Sequence, residues 1–133
     1  MSAQILIVDD DPTNLKLTAY VLEFAGYKVQ VAKDAESALI LIRADPPQLV
    51  LLDIQLPLMD GLTLTRLIKS DEAIRHVRVV ALTAFAMKSD EQRAMEAGCD
   101  GYIAKPIDVE TFPHQVGRYL DVELQNRGAT KAP

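Results

Sequence analysis

The sequence predicts an α/β fold, a doubly wound five-stranded parallel sheet built from (βα)₅ alternation. Short apolar, β-branched runs alternate with segments of helical periodicity along the whole chain. The first and third runs are apolar on consecutive residues, which is typical of central parallel strands covered on both faces. Strict strand–helix alternation implies right-handed crossovers, with helices packed on both sides of the sheet.

The predicted strands are short apolar runs bounded by polar or turn residues. They are Ile5–Val8, Lys28–Ala32, Leu49–Leu52, Val77–Leu82 and Gly101–Ala104. The second run is followed by no distinctive group, as is expected of an outer strand.

The first two helices have recognisable ends. Asp11 is a predicted N-cap with Pro12 in the first turn, and Gly26 ends this helix. Asp34 caps the second helix, which ends before Pro46. The apolar positions predicted to face the core are Leu15, Ala19 and Leu22 in the first helix and Ala35, Ala38, Leu39 and Ile42 in the second.

The remaining three helices are predicted from their apolar spacing and their capping residues. The third is predicted from about Gly61 to Ser70, and its inward residues are Leu64, Leu67 and Ile68. Ser89 and Gln92 form a capping-box pattern for the fourth, which ends at Gly98. The fifth begins at Asp108 or Thr111; the second choice places Pro113 in the tolerated first turn.

The composition excludes several classes of function. A net charge of −5 argues against nucleic acid as a direct partner, because phosphate binding requires a surplus of Lys and Arg. The chain has no run approaching the ~20 apolar residues that span a bilayer. Cys99 is the single cysteine, which excludes an internal disulfide and indicates a reducing compartment. We therefore expect a cytoplasmic protein that does not associate with membranes.

The domain organisation is simple. A chain of 133 residues fits one compact domain, predicted over residues 1–124. Residues 125–133 are polar and contain Gly and Pro, so we expect a flexible C-terminal tail.

The residues that carry chemistry follow the predicted strands, where an open α/β sheet forms its binding crevice. Strand one is followed by Asp9, Asp10 and Asp11, and strand three by Asp53. Strand four is followed by Thr83, and strand five by Lys105.

These residue types suit phosphoryl transfer. Clustered carboxylates require a hard cation, and we expect Mg²⁺, with Mn²⁺ as a second candidate. The metal can offset charge on a transferring phosphoryl group, and a carboxylate can itself be the nucleophile. Lys105 and the hydroxyl of Thr83 can contact phosphoryl oxygens.

Four segments together resemble the receiver domains of two-component response regulators. They are Ile5–Asp10 (ILIVDD), Leu52–Gly61 (LDIQLPLMDG), Ala81–Ala84 (ALTA) and Tyr102–Pro106 (YIAKP). The resemblance covers about Ala3 to Leu120, and it implies the flavodoxin-like receiver fold with strand order 2-1-3-4-5. Within that family, Thr83–Lys88 and the short tail resemble single-domain, DivK-like receivers.

The resemblance also implies a metal site and a phosphoacceptor. Asp53 matches the residue that accepts the phosphoryl group. Asp9 and Asp10 match the acidic pair that holds Mg²⁺ together with Asp53 and the backbone carbonyl of Gln55.

Further roles are carried over from the family to the other motif residues. Thr83 and Lys105 match the residues that contact the phosphoryl group, and Lys105–Pro106 matches a peptide bond that is usually cis. Tyr102 matches the aromatic residue that turns inward when the Thr83 hydroxyl moves toward the phosphate. Gln55 and Phe85, two positions after Asp53 and Thr83, are expected to flank the route of the hydrolytic water. We expect Phe85 to slow self-dephosphorylation, whereas Gln55 could have the opposite effect.

The implied partners follow from this cycle. A sensor histidine kinase or a histidine phosphotransfer protein donates the phosphoryl group, and the fourth helix, fifth strand and fifth helix form the output face. We expect a monomer or a phosphorylation-dependent dimer, acting on an effector protein rather than as an enzyme on a separate substrate.

Three alternatives stay open at this stage. The segment from Ile5 to Thr13 also fits the signature of haloacid-dehalogenase-like phosphatases, with Asp9 as nucleophile and Asp11 as acid/base. That interpretation leaves Asp53 unexplained and lacks a later acidic pair after a strand. The chain could instead be a receiver domain cut from a larger multidomain regulator or hybrid kinase. A non-phosphorylated interaction module is disfavoured, because every phosphorylation-site residue is present.

Overall fold

One five-stranded parallel sheet with the order β2-β1-β3-β4-β5 organises the chain. The structure is a computed structural model, and it describes residues 3–53, 61–83, 88–104 and 107–120. The strands are β1 (Gln4–Val8), β2 (Lys28–Ala32), β3 (Leu49–Asp53), β4 (Arg78–Thr83) and β5 (Gly101–Ala104). The helices are α1 (Pro12–Phe24), α2 (Ala35–Ala44), α3 (Gly61–Ser70) and α4 (Lys88–Ala97), followed by α5, whose described part covers 112–120.

The strand order and the two central strands agree with the sequence prediction. In β1 and β3, the four residues from Ile5 to Val8 and from Leu49 to Leu52 are all at most 1% exposed. Successive side chains point to opposite faces of a strand, so burial on both faces produces a continuous apolar run. β2 lies at one edge of the sheet, as expected for an outer strand, and most of its residues are exposed.

Two hydrophobic cores lie on the two faces of this sheet. On one face, Leu6 and Val8 of β1 pack with residues of α2, α3 and α4. On the other face, Ile5 and Ile7 pack with residues of α1 and α5, including Phe112. The sheet is therefore covered on both sides, and its carboxyl-terminal edge is left for the functional side chains.

The predicted caps of the first two helices are confirmed. The Asp11 carboxylate accepts a hydrogen bond from the Thr13 amide at 2.9 Å, and the Asp34 carboxylate accepts one from the Ser37 amide at 2.7 Å. The hydrogen bonds from Ser37 hold the pKa of Asp34 below its usual value. Gly26 follows α1 with a φ of 103°, a conformation that glycine adopts without the steric cost of a Cβ.

The start of α5 favours the second of the two predicted choices. The amides of Thr111 and Phe112 donate to the carbonyl of Asp108, which forms a turn ahead of the helix. The helix begins after Thr111, and Pro113 therefore lies in the first turn, where its missing N–H removes no intrahelical hydrogen bond.

Three local predictions were wrong or displaced. α4 begins at Lys88, so Ser89 is inside the helix and does not occupy the N-cap position. β4 begins at Arg78 rather than Val77. In α3, Leu67 is 37% exposed, whereas Thr65 is fully buried. The Thr65 hydroxyl donates to the Gly61 carbonyl at 2.8 Å, and this bond allows a polar residue to occupy a core position.

The predicted boundary near residue 124 and the tail 125–133 lie outside the described residues. Within the part of the chain that the structure describes, no helix is both long enough and apolar enough to cross a membrane.

Candidate functional site

The ends of two adjacent parallel strands bring three carboxylates together. Asp53 is the last residue of β3, and Asp9 and Asp10 directly follow β1. The register pairs Val8 with Leu52, so the residues that follow them emerge at the same edge of the sheet. One carboxylate oxygen from each of Asp9, Asp10 and Asp53 lies within 4.8 Å of the other two.

The backbone around this cluster fixes the position of Asp9. Its amide donates to the Ala32 carbonyl of β2 at 3.1 Å, and its carboxylate accepts a hydrogen bond from the Asp11 amide at 3.0 Å. Asp9 is only 2% exposed, Asp53 is half-buried and Asp10 is exposed. The cluster therefore has a buried side held by the protein and an open side that faces solvent.

Asp11 plays a different part, as the sequence predicted. Its carboxylate caps α1 and is not a member of the cluster found among the described residues. The acid/base role that the phosphatase interpretation gave to Asp11 has no support in this arrangement, because its carboxylate is used by the Thr13 amide.

Three carboxylates at this separation make a site for a hard divalent cation. Like charges so close together repel one another, and a cation with oxygen ligands removes that repulsion. Mg²⁺ is commonly bound through a few carboxylates while it keeps several waters, and the open side of the cluster leaves room for them. The donor set therefore fits the predicted magnesium ion.

The other predicted site residues are only partly described. The backbone of Thr83 ends β4, which neighbours β3 through the pairing of Asp53 with Leu82. The side chain of Thr83 lies outside the described residues, and so do Gln55, Phe85, Lys105 and Pro106. Their roles stay predictions, as does the cis geometry of the Lys105–Pro106 bond.

Tyr102 lies on β5, next to β4 in the sheet. It is half-buried and packs against the core formed with α2, α3 and α4. Its carbonyl accepts a hydrogen bond from the hydroxyl of Tyr119 in α5 at 3.3 Å. The pairs Ala81–Tyr102 and Thr83–Ala104 place Tyr102 two residues below the level of Thr83. Tyr102 therefore contacts groups on both faces of the sheet close to the end of β4.

Cys99 does not belong to the site. It is buried at the end of α4, and its burial raises the pKa of the thiol. A raised pKa disfavours the thiolate, which agrees with the absence of any sequence signal for an activated cysteine.

Similarity to a known protein family identifies the kind of domain that carries this cluster of carboxylates. The model of the response regulator receiver domain matches residues 5–116. The chain belongs to the response regulator receiver domain family. A phosphoacceptor signalling role in a two-component system fits this membership, and the predicted family and fold are confirmed.

Known relatives of this receiver domain match it over nearly its whole length. It is 43% identical over 120 residues to the polar-differentiation response regulator DivK of Brucella ovis, a match covering 90% of this chain and 98% of DivK. A CheY-like receiver domain protein from Methanospirillum hungatei JF-1 has 32% identity and a TM-score of 0.84, covering 95% of this chain and 99% of that one.

A third relative was crystallised with a metal ion. The receiver domain of a sensor histidine kinase from Pseudomonas aeruginosa PAO1 has 31% identity and a TM-score of 0.82, covering 90% of this chain and 98% of that one. Its structure has a magnesium ion coordinated in the active site cleft. These matches do not support the phosphatase alternative.

Proposed function

We propose that this receiver domain accepts a phosphoryl group on Asp53 from a phosphohistidine of a sensor kinase or phosphotransfer protein. The observation that carries the proposal is the convergence of Asp9, Asp10 and Asp53, whose carboxylate oxygens lie within 4.8 Å of one another. Asp53 is the half-buried member of this cluster and ends a central strand, so a carboxylate oxygen is held at the crevice edge for attack.

The proposed cofactor is Mg²⁺, held by Asp9, Asp10 and Asp53, with the backbone carbonyl of Gln55 as a further predicted ligand. When bound, the ion supplies positive charge to the oxygens of the transferring phosphoryl group. The magnesium ion in the Pseudomonas receiver's active site cleft supports this choice of metal.

The residues of the chain have separate tasks in the proposed transfer. An Asp53 carboxylate oxygen forms a bond to phosphorus as the phosphorus–nitrogen bond of the donor histidine breaks. The hydrogen bond from the Asp11 amide holds the buried Asp9 carboxylate in place beside this reaction. Thr83 and Lys105 are proposed to contact phosphoryl oxygens, so that the domain promotes its own modification.

The output of the switch is proposed to be a change of protein contacts. Phosphorylation of Asp53 would draw the Thr83 hydroxyl toward the site and let Tyr102 turn inward, which biases the face formed by α4, β5 and α5. We further propose a domain over residues 1–124 that acts in the cytoplasm as a monomer or a phosphorylation-dependent dimer.

Labelling with site mapping tests the proposal. We expect a small acyl phosphate to transfer one phosphoryl group to the purified chain in the presence of Mg²⁺, and none in the presence of a chelator. Peptide mass mapping should place the modification on Asp53. A label on Asp9 would instead support phosphatase-like chemistry and would overturn the proposed acceptor.

Magnesium affinity gives a prediction that is independent of phosphoryl transfer. In Asp9→Asn, the amide oxygen can still accept the hydrogen bond from the Asp11 amide, but one negative charge is lost. A charge pair at about 4 Å is worth about 1 kcal/mol even in water, so removing one charge beside a divalent ion costs about 2 kcal/mol, or roughly thirtyfold in Kd. Isothermal titration calorimetry measures this change.

Asp11→Asn is the matched control for that titration. It removes the same charge two residues away, and asparagine remains a good N-cap for α1. We expect the Kd for Mg²⁺ to change only a few-fold. Equal losses in Asp9→Asn and Asp11→Asn would show a general charge effect and not a defined ligand.

Phosphoryl lifetime tests the predicted role of Phe85. An aromatic ring cannot orient a water molecule, whereas a carboxylate can, so Phe85→Glu is expected to shorten the half-life of phosphorylated Asp53. The half-life is measured as loss of label after the donor is removed. An unchanged half-life in Phe85→Glu would contradict the proposed role of Phe85. It would not contradict the proposal that Asp53 accepts the phosphoryl group.

A further inference from the structure

The ammonium group of Lys69 joins separate parts of the chain at the amino-terminal edge of the sheet. Lys69 lies in the last turn of α3, and its side chain is only 22% exposed. Its Nζ donates to the Val77 carbonyl at 2.7 Å, the Asp100 carboxylate at 2.9 Å and the Arg75 carbonyl at 3.3 Å. An ammonium group has three N–H donors, so all of them are used by the protein. The contact is therefore more than a loose surface ion pair.

Asp100 carries this contact into the sheet. The carboxylate oxygen that accepts from Lys69 also accepts from the Val79 amide of β4 at 2.8 Å. In return, the Asp100 amide donates to the Val79 carbonyl at 2.7 Å. Asp100 directly precedes β5, whose first register pair with β4 is Gly101 with Val80. The start of β5 is therefore tied to β4 by both the backbone and the side chain of Asp100.

The end of α4 leaves a path for the Lys69 side chain. Gly98 follows α4 with a φ of 110°, and its amide donates to the Met95 carbonyl at 3.1 Å. A Cβ at Gly98 would lie 3.0 Å from Cγ of Lys69, closer than ordinary van der Waals contact. Glycine therefore serves two purposes here, because it adopts the left-handed conformation and lets the lysine stem reach Asp100.

The strands held by Lys69 lead to the predicted phosphoryl-contacting residues. β4 ends at Thr83, and Lys105 follows the last residue of β5 in the sequence. The three carboxylates of the acidic cluster lie instead at the ends of β1 and β3. Among the described residues, the hydrogen bonds of Lys69 reach neither of these two strands. The predicted metal ligands and phosphoryl contacts thus depend on different strands.

The position of β5 along the sheet depends on few contacts. β5 has four residues and lies at one end of the strand order, beside β4. One residue step along a strand is about 3.3 Å, and a much smaller shift already takes a group at the strand end out of hydrogen-bonding distance. An anchor at the start of β5 therefore has a direct effect at its other end.

We propose that Lys69 is a positioning residue, which acts through Asp100 to set how far β4 and β5 reach toward the acidic edge. Thr83 and Lys105 are thereby placed for their contacts with a phosphoryl group on Asp53. This inference rests on the proposed phosphoacceptor role of Asp53 and identifies the residue that aligns its phosphoryl-contacting partners. Lys69 contacts groups at the edge of the sheet opposite the acidic cluster, so it touches no reacting atom.

Lys69→Met is expected to slow phosphoryl transfer without weakening metal binding. Methionine keeps most of the apolar stem but removes all three donors. A displacement of 1 Å at a reacting centre can cost ~10²-fold, and we expect the rate constant for labelling Asp53 at saturating Mg²⁺ to fall about tenfold. The donor is a small acyl phosphate. The Kd for Mg²⁺, measured by isothermal titration calorimetry, should stay at the wild-type value because the carboxylates lie on other strands.

Asp100→Asn is a second and milder variant, which decides the question if Lys69→Met does not fold. The amide oxygen can still accept from the Val79 amide, but the charge that faces Lys69 is lost. We expect a smaller fall in the labelling rate. Combining the two substitutions should slow labelling little beyond Lys69→Met alone, because both remove the same contact.

Ile42→Val is the matched control for lost stability. Ile42 is fully buried in α2 and has no part in the Lys69 contacts, so its truncation lowers the midpoint of urea unfolding and should leave the labelling rate unchanged. Hydrogen exchange gives a readout other than transfer. The amides of residues 101–104 should exchange faster in Lys69→Met and Asp100→Asn than in Ile42→Val.

Defined outcomes would overturn the proposal. Labelling at the wild-type rate in Lys69→Met and Asp100→Asn would make Lys69 a stabilising residue only. A parallel loss of Mg²⁺ affinity in Lys69→Met would show a general distortion of the site. Labelling as slow in Ile42→Val as in Lys69→Met would show that lost stability is the cause. A wild-type chain that is not labelled on Asp53 would overturn the proposed function itself, and this inference with it.

Discussion

Replacing Asp53 by asparagine is expected to reduce phosphoryl incorporation to background. The amide side chain keeps the shape of the aspartate at the end of β3, but its oxygen is a far weaker nucleophile than a carboxylate. The loss of charge also removes one of the three carboxylates that would hold Mg²⁺. Incorporation is measured with a small acyl phosphate, which avoids any need for the natural kinase.

Asp11→Asn is the appropriate control for the labelling experiment. It makes the same chemical change next to the acidic cluster but preserves the cap of α1, so we expect wild-type incorporation. Label that persists in Asp53→Asn and maps to Asp9 would contradict the proposed acceptor. Loss of label in both variants would point to a general electrostatic requirement, and Asp53 would then have no special role.

The sequence predicts the central strands because burial on both faces leaves an unambiguous pattern. The apolar runs from Ile5 to Val8 and from Leu49 to Leu52 supply alternate residues to the two cores. β2 is an edge strand, and its polar residues Lys28 and Gln30 are exposed. Strand order could be inferred only through the family resemblance, because single-sequence patterns contain no pairing information.

The buried residues of the helices were harder to predict than those of the strands. A polar side chain can be buried when it forms a hydrogen bond within its own helix. Leu67 was expected in the core of α3 on apolarity alone, yet it lies at the margin of the buried stripe. Thr65 takes the core position because its hydroxyl donates to the Gly61 carbonyl one turn earlier. Such a hydrogen bond depends on the packed geometry of the helix and leaves no periodic signal in the sequence.

The residues of the acidic cluster could be predicted from the sequence, but the distances between their carboxylates could not. Asp9 and Asp53 are far apart in the chain, and they approach one another because β1 and β3 are neighbours in the sheet.

A large loss of stability is expected in Phe112→Ala. Phe112 is fully buried at the start of α5, within the core that α1 and α5 form against the sheet. Truncation removes the buried ring and leaves a cavity, which lowers the free energy of unfolding by about 3–5 kcal/mol. Since domains of this kind are stable by about 5–15 kcal/mol, the variant should unfold at a much lower urea concentration.

Phe24→Ala is the matched control, because it makes the same truncation at the end of another helix on the same side of the sheet. Phe24 is 84% exposed, so its removal creates no internal cavity, and the midpoint of urea unfolding should move little.

The packing of Phe112 also has a consequence for signalling. α5 carries Tyr119, whose hydroxyl donates to the Tyr102 carbonyl, so loosening the Phe112 anchor should disturb the proposed output face before global unfolding. Hydrogen exchange that is unchanged in α5 and β5 of Phe112→Ala would contradict this coupling.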